Sequence, residues 1–326
     1  MAPTTRPPTP VAELRHTLEL LRAAVGPLLG DQALADRLHT LADHLGHVNR
    51  ATPRGDHGPL SVLVAAARAA RQWVAAFHAA DVLGTAGLDP WWSREADEAL
   101  ARVEAGLGAL LREPLRRRIF GLYVIVDPAA TGGRDPLEVA RAALEGGARL
   151  LQLRDKARDK GEALPLARRL RELCRDHDAL LIVNDHADLA LAAEADGVHL
   201  GQQDLPLPEA RRVLAPRQVA GRSNATLEEA MASWEQGADY VAVGAIYPTS
   251  TKERTRPAGL ETLRRVRAQV PAPLVAIGGI NAGNVAPVVQ AGADAVCVIS
   301  AVALAPDPRA AARELVARIR EAGGQA

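Results

Sequence analysis

Residues 180–204 read LLIVNDHADLALAAEADGVHLGQQD, from Leu180 to Asp204, and the fold turns on how this stretch divides. Leu180 to Val183 and Gly197 to Leu200 are short apolar runs bounded by turn residues, the pattern of strands buried on both faces. Ala187 to Ala195 between them is helix-like, so the unit is βαβ. Parallel strands joined by a helix point the same way, and Asp185 and Asp204, each just past an apolar run, emerge at one rim, close enough to share a divalent cation. Paired carboxylates there suit Mg²⁺ and a phosphorylated ligand.

The same alternation extends in both directions. It predicts strands at Gly121 to Val126, Leu150 to Leu153, Gln218 to Gly221, Tyr240 to Val243, Leu274 to Ile277 and Ala295 to Val298, which brings the total to eight. Helical periodicity falls between most of them, at Pro136 to Glu145, Leu164 to Asp176, Leu227 to Gln236, Leu260 to Gln269 and Asn284 to Ala291. Eight strands in strict β/α alternation predict an α/β fold of the (β/α)₈ or TIM-barrel type. An open doubly wound sheet is disfavoured, because no Gly-x-Gly-x-x-Gly turn follows the first strand.

Upstream of the barrel the texture is all-α. Helices are predicted at Val11 to Leu29, Gln32 to Val48, Leu60 to Val82 and Ser93 to Leu111, the last with Ser93 as N-cap, and loops at Asn49 to Gly58 and Gly84 to Pro90. The first ten residues hold four prolines and read as disordered. The expected organisation is a disordered start at 1–10, a helical domain at 11–118 and the barrel at 119–326.

Of the 326 residues, 48% are hydrophobic and 24% charged, an ordinary globular balance with zero formal net charge. With no basic run interleaved with aromatics, nucleic acid is not an expected partner. No run reaches the roughly 18 apolar residues of a membrane span, and Met1 to Pro10 lacks a signal-peptide core, so a cytoplasmic location is expected. Cys174 and Cys297 fall in a predicted helix and a predicted buried strand, as reduced core thiols do. The chain uses only three lysines, Lys156, Lys160 and Lys252, among 39 basic residues, a pattern that marks positions where a compact ammonium is wanted.

Function in such a barrel sits at the C-terminal ends of the strands. Strand two ends in Gln152-Leu-Arg-Asp-Lys156 and strand three in Asn184-Asp185, while strand four runs on to Asp204. Strand five ends near Ser223-Asn224, strand six leads into Tyr247-Pro-Thr-Ser-Thr-Lys252, strand seven ends in Gly278-Gly279 and strand eight in Ile299-Ser300. Carboxylates with Arg154, Lys156 and Lys252 make a pyrophosphate and metal environment, whereas strands seven and eight offer glycine amides and a serine at a helix start, as a monophosphate requires. No covalent nucleophile is evident, since neither cysteine is placed at the rim and neither Ser223 nor Ser300 has an obvious histidine partner. Plainer readings compete: Asn184, Asp185 and Asp204 as helix caps, Gly278-Gly279 as a tight turn, Thr249 and Thr251 as loop polars, and His186 and His199 as structural hydrogen-bonders. Their joint occurrence at one rim favours a site that binds two phosphorylated molecules.

From residue 119 to about 305 the chain resembles the thiamine-phosphate synthase (thiamine-phosphate pyrophosphorylase) family. The resemblance rests on Gly121-Leu-Tyr-Val-Ile-Val-Asp127, Gln152-Leu-Arg-Asp-Lys156, Asn184-Asp185, Gly197-Val-His-Leu-Gly-Gln-Gln-Asp-Leu-Pro206, Pro248-Thr-Ser-Thr-Lys252 and Ala276-Ile-Gly-Gly-Ile280. It implies a transferase with Mg²⁺ on Asp185 and Asp204, and a pyrimidine diphosphate held by Gln152, Arg154, Lys156, Asn184, Ser223 and Lys252. Arg154, Lys156, Ser223 and Lys252 are the implied catalytic set. A thiazole phosphate would be held by Thr249, Thr251, Gly279, Ile299 and Ser300. The implied chemistry is dissociative, with pyrophosphate leaving before the thiazole nitrogen attacks. Asp127 lies outside the metal motifs, and its replacement is expected to matter less than that of Asp185 or Asp204. Family members often carry histidine where this chain has Ala225, and a related thiazole tautomerase uses that imidazole as its acid/base. A tautomerase-like barrel or a non-catalytic binder of thiamine precursors is the alternative.

Residues 11–118 look faintly similar to a kinase-like domain that sometimes precedes such barrels, but they contain no lysine and no phosphate-loop motif. A docking or dimerising module is the expected role, with a degenerate kinase-like domain as the alternative, and the first of these would allow a homo-oligomer through this half. His39, His44 and His47 do not share one helical face and read as a solvated surface, not a metal site.

Overall fold

The computed structural model describes residues 10–44, 60–82, 90–249 and 256–326. The chain divides into two units, Met1–Leu111 and Arg112–Ala326.

The first unit contains α1 (Pro10–Leu29), α2 (Gln32–His44), α3 (Leu60–Val82) and all but the end of α4 (Pro90–Arg116). Leu14, Leu18, Leu21 and Val25 repeat at helical spacing along α1 and are fully buried, facing a core shared with Leu38, Leu63, Trp92 and Leu100. Each such leucine contributes on the order of 1.5–3 kcal/mol of burial free energy. The turn from α1 to α2 is set locally. Gly30 takes φ +66° and donates its N–H to Gly26 O at 3.0 Å, and Asp31 then accepts from Leu34 N at 2.9 Å.

Ser93 is not the N-cap of its helix. Helix α4 opens at Pro90, whose fixed φ suits a first turn, and Ser93 is buried within it. The expected disorder at 1–10 lies outside the described residues except for Pro10, which opens α1. The two expected loops also lie outside them, apart from Pro90, as do residues 45–48 of the second predicted helix. Exposed His39 has Nδ1 3.3 Å from Glu19 and Nε2 3.5 Å from Asp43, and these carboxylates also meet Arg22 at 2.8 Å and Arg15 at 3.4 Å. The His44 side chain and His47 lie outside the described residues.

The second unit is a closed barrel of eight parallel strands in sequence order. The strands are β1 (Gly121–Val126), β2 (Leu150–Leu153), β3 (Leu180–Asn184), β4 (Gly197–Leu200), β5 (Val219–Asn224), β6 (Tyr240–Val243), β7 (Leu274–Ile277) and β8 (Ala295–Val298). The helices that follow them are α5 (Pro136–Glu145), α6 (Lys160–Asp176), α7 (Ala187–Ala192), α8 (Leu207–Val213), α9 (Leu227–Glu235), α10 (Gly259–Gln269), α11 (Val285–Gln290), α12 (Ser300–Ala303) and α13 (Pro308–Glu321). Closure pairs Gly121 with Ala295 and Tyr123 with Cys297. Among the described residues, no helix is long and apolar enough to cross a membrane.

Period-two alternation sorts the side chains into two cores. Leu122, Val124, Leu151, Leu153, Leu181 and Val183 face the helices, whereas Tyr123, Ile125, Leu150, Leu180, Ile182 and Tyr240 fill the barrel interior. The same parity turns Gln152, Arg154, Asn184, His199 and Ser223 inward. Strand β5 runs three residues beyond its expected end, carrying Ser223 and Asn224 into the ladder, where they pair with Ala242 and Val243. Helix α8 has no counterpart in the sequence reading, because seven residues beginning beside two prolines hold too little periodicity. Helix α7 stops at Ala192, and the chain then turns through Glu194 at φ +52°.

Candidate active site

The inward polar residues open into one cavity of about 1390 Å³ at the C-terminal ends of the strands. Its wall includes Arg154, Lys156, Asn184, Asp185, Asp204, Ser223, Thr249, Gly279, Ile299 and Ser300. Gln152 lies deeper, 2% exposed, and donates from Nε2 to the Tyr123 hydroxyl at 2.7 Å. Thr251 and Lys252 lie outside the described residues. Cys297, expected only as a core thiol, also lines the cavity.

Asp185 sits in a tight local structure. Its φ is +62°, and His186 N donates to Asn184 O at 2.7 Å, so Asp185 is the centre of a three-residue γ-turn, a conformation that folded proteins use sparingly. The Asp185 amide donates to His199 O at 2.8 Å, tying the turn to β4. Asp204 accepts from Gly201 N at 2.6 Å. Neither carboxylate caps a helix, since the N-cap residues of α7 and α8 are His186 and Pro206, neither with a side-chain cap. Burial raises the Asp185 pKa, the adjacent Asp204 carboxylate raises it further, and Lys156, with Nζ 3.2 Å from Asp185 Oδ2, pulls it back. A carboxylate whose ionisation its neighbour opposes forms, with that neighbour, an all-oxygen donor set of the kind that hard divalent cations relieve.

Arg154 pairs with Asp127, whose other oxygen accepts from Ala129 N at 3.0 Å. Asp127 is 4% exposed, and its carboxylate is the anchor of a rim cation. The residue expected to matter less than Asp185 or Asp204 thus holds a site arginine in place.

Ser223 does have a histidine partner, contrary to the sequence reading. His199 Nε2 lies 2.8 Å from Ser223 Oγ, and His199 Nδ1 lies 3.0 Å from the Tyr240 hydroxyl. The pairing was hidden because the two residues belong to neighbouring strands and share the inward parity without being near in sequence. Beside Ala225 the wall carries a further pair that the sequence reading missed. Arg256 donates to both oxygens of Glu229 at 2.6 and 2.9 Å, and Glu229 also accepts from Ala225 N at 2.8 Å. Arg256 holds the Glu229 pKa below its ordinary value.

The opposite arc is built from backbone. Gly278 and Gly279 take φ +105° and +66°, and a Cβ on Gly279 would stand 2.5 Å from Pro248 O. Only glycine lets the end of β7 approach the segment after β6 this closely. Asn284 braces the turn, donating to Gly279 O at 2.9 Å and accepting from Asn281 N at 2.8 Å. Ser300 and Ala301, in the first turn of α12, complete this side. First-turn amides have no partner within their own helix.

The family model described as thiamine monophosphate synthase matches residues 122–302, more than half of the chain, and the chain belongs to that family. It is accordingly an enzyme, a transferase of thiamine biosynthesis. It is 50% identical over 205 residues to the thiamine-phosphate synthase of Moorella thermoacetica, an alignment covering 63% of this chain and 98% of the relative. It is 49% identical over 196 residues to that of Methanospirillum hungatei, covering 60% and 95%. Among solved structures, the thiamine phosphate pyrophosphorylase from Pyrococcus furiosus superposes with a TM-score of 0.60 at 42% identity, over 64% of this chain and 99% of that one.

Proposed function

We propose that the cavity joins 4-amino-2-methyl-5-hydroxymethylpyrimidine diphosphate to 4-methyl-5-(2-phosphoethyl)thiazole, carboxylated or not, giving thiamine monophosphate and pyrophosphate. The observation that carries this reading is a single cavity with two unlike arcs, Asp185 and Asp204 with Arg154 and Lys156 on one, Gly278, Gly279 and Ser300 on the other. The first arc fits a diphosphate and the second a monophosphate.

In this reading Gln152, Arg154, Lys156, Asn184, Ser223 and Lys252 hold the pyrimidine diphosphate, while Thr249, Thr251, Gly279, Ile299 and Ser300 hold the thiazole phosphate. Asp185 and Asp204 fit Mg²⁺, which supplies neutralisation of pyrophosphate charge when bound. The C–O bond of the pyrimidine diphosphate breaks, and pyrophosphate leaves with the electron pair. The thiazole nitrogen then donates its lone pair to the pyrimidine methylene carbon. Arg154 and Lys156 stabilise the departing charge, and the cavity keeps the two reactants aligned. No general base is required. Ala225, standing where the related tautomerase carries its imidazole, fits this economy and disfavours the tautomerase alternative.

On the same footing we assign catalysis to residues 119–326 and a docking or dimerising role to residues 11–118, in a cytoplasmic enzyme. The test of the central claim is to supply purified protein with both precursors and follow thiamine monophosphate by chromatography, with Mg²⁺ and with a chelator. Product should form with the metal, vanish on chelation and return when Mg²⁺ is restored. Absence of product from authentic precursors would sink the reading.

A further inference from the structure

Resting on the role proposed above for Ser223 toward the pyrimidine diphosphate, we infer that a directional chain of hydrogen bonds across the barrel interior makes Ser223 a proton donor to that ligand. His199 is the positioning residue that transmits the direction. Five strands contribute one residue each. Gln152 Nε2 donates to the Tyr123 hydroxyl at 2.7 Å, and Tyr123 OH lies 3.5 Å from Tyr240 OH. Tyr240 OH lies 3.0 Å from His199 Nδ1, and His199 Nε2 lies 2.8 Å from Ser223 Oγ.

The direction follows from counting protons. The Gln152 amide nitrogen can only donate, so Tyr123 accepts from it. Tyr123 is fully enclosed, and its other hydrogen-bond partner is Tyr240, so spending its own proton there avoids a buried O–H without an acceptor. Tyr240, having accepted, directs its proton to His199 Nδ1. The imidazole N–H then resides on Nε2 and points at Ser223 Oγ. Ser223 accepts from below and keeps its own O–H for the cavity it lines. The ligand atom that takes this proton must be an acceptor, such as a ring nitrogen or a phosphate oxygen.

The fold makes room for this chain. A Cβ on Gly221 would fall 1.9 Å from the Tyr240 ring, so glycine at the β5 position paired with Tyr240 is what lets the ring lie inside the barrel. The Tyr240 and His199 rings stack with centroids 5.7 Å apart and planes 24° apart, which fixes the imidazole's orientation.

The test has a ligand-independent arm and a kinetic one. In protein labelled with ¹⁵N-histidine, with His199 assigned by comparison with His199→Gln, the nitrogen shifts should show a protonated Nε2 and an unprotonated Nδ1. Tyr240→Phe conserves the ring and removes the guiding proton. It should raise KM for the pyrimidine diphosphate by roughly fivefold, the worth of one hydrogen bond, with less change in kcat, and add little when combined with Ser223→Ala. His199→Gln, whose amide nitrogen falls near the place of Nε2, should recover part of what His199→Phe loses. A proton on Nδ1, or penalties of Tyr240→Phe and Ser223→Ala that add in full, would overturn the inference. If the wild-type protein forms no product, the proposed function falls and takes the ligand with it, while the nitrogen shifts still decide the direction of the chain up to Ser223.

Discussion

Asp127 follows β1 directly, and its partner Arg154 follows β2. Replacing it with asparagine keeps the shape and removes the charge that steadies the guanidinium. Asp127→Asn should therefore raise KM for the pyrimidine diphosphate about tenfold, as expected for one charge-assisted hydrogen bond. Initial-rate kinetics in both substrates would check this, and an unchanged KM would show that Arg154 is held without Asp127. The sequence offered Asp127 only as a carboxylate after a strand, because its partner belongs to the next strand. Parity was the available signal, since Asp127 continues the inward series of Tyr123 and Ile125, as Arg154 continues that of Leu150 and Gln152. The aspartates at 185 and 204 were easier to find, because a βαβ unit puts two strand ends at one rim. The γ-turn that aims Asp185 was illegible, as nothing in Asn-Asp-His demands a positive φ.

At the level of elements, the turn entering β6 is held by Asp239. Arg112 Nε donates to one of its oxygens at 2.8 Å, while Arg211 and the Ala220 amide, at 2.8 Å, donate to the other. Burial works against its charge, but Arg211 and Arg112 more than reverse this and hold the carboxyl below its ordinary range. A depressed folded pKa means stability that is fully present above the unfolded carboxylate's pKa and is lost as pH falls through the folded one. Asp239→Asn should therefore cost about 3 kcal/mol at neutral pH, and the gap to the wild type should close as acid protonates Asp239. Urea unfolding across that range is the measurement, and a constant gap would show that charge is not the cause. Strands made wholly of apolar residues, such as β1 and β6, were legible to the residue. The rim end of β5 was not, because Arg222, Ser223 and Asn224 carry no apolar signal although they hydrogen-bond within the barrel ladder.

At the scale of the molecule, the family match begins at residue 122, yet Arg112 and Arg116 already belong to the barrel unit. Arg112 donates to Asp239 and to Pro216 O at 3.2 Å, and Arg116 donates to Asp239 O at 3.3 Å while lying over the Trp234 ring. A chain beginning at Arg112 should form thiamine monophosphate at a rate near that of the full protein. One beginning at Ile119 should unfold at a lower denaturant concentration, by about 3 kcal/mol, because Asp239 loses Arg112. Equal stability of the two would show that this pair contributes little, and loss of turnover in both would mean the helical unit is needed for activity.

The pairing of Gly121 with Ala295 also fixes an order in time. A ribosome delivers the helical unit first, and its contacts are local enough to form while the rest is still being made. The barrel must wait, because its first strand has one neighbour in β2 and finds the other only when β8 emerges. Until then β1 keeps an open edge, and the arc bearing Ser300 does not yet exist. A nascent chain therefore carries the acidic half of its rim well before it can hold a second reactant.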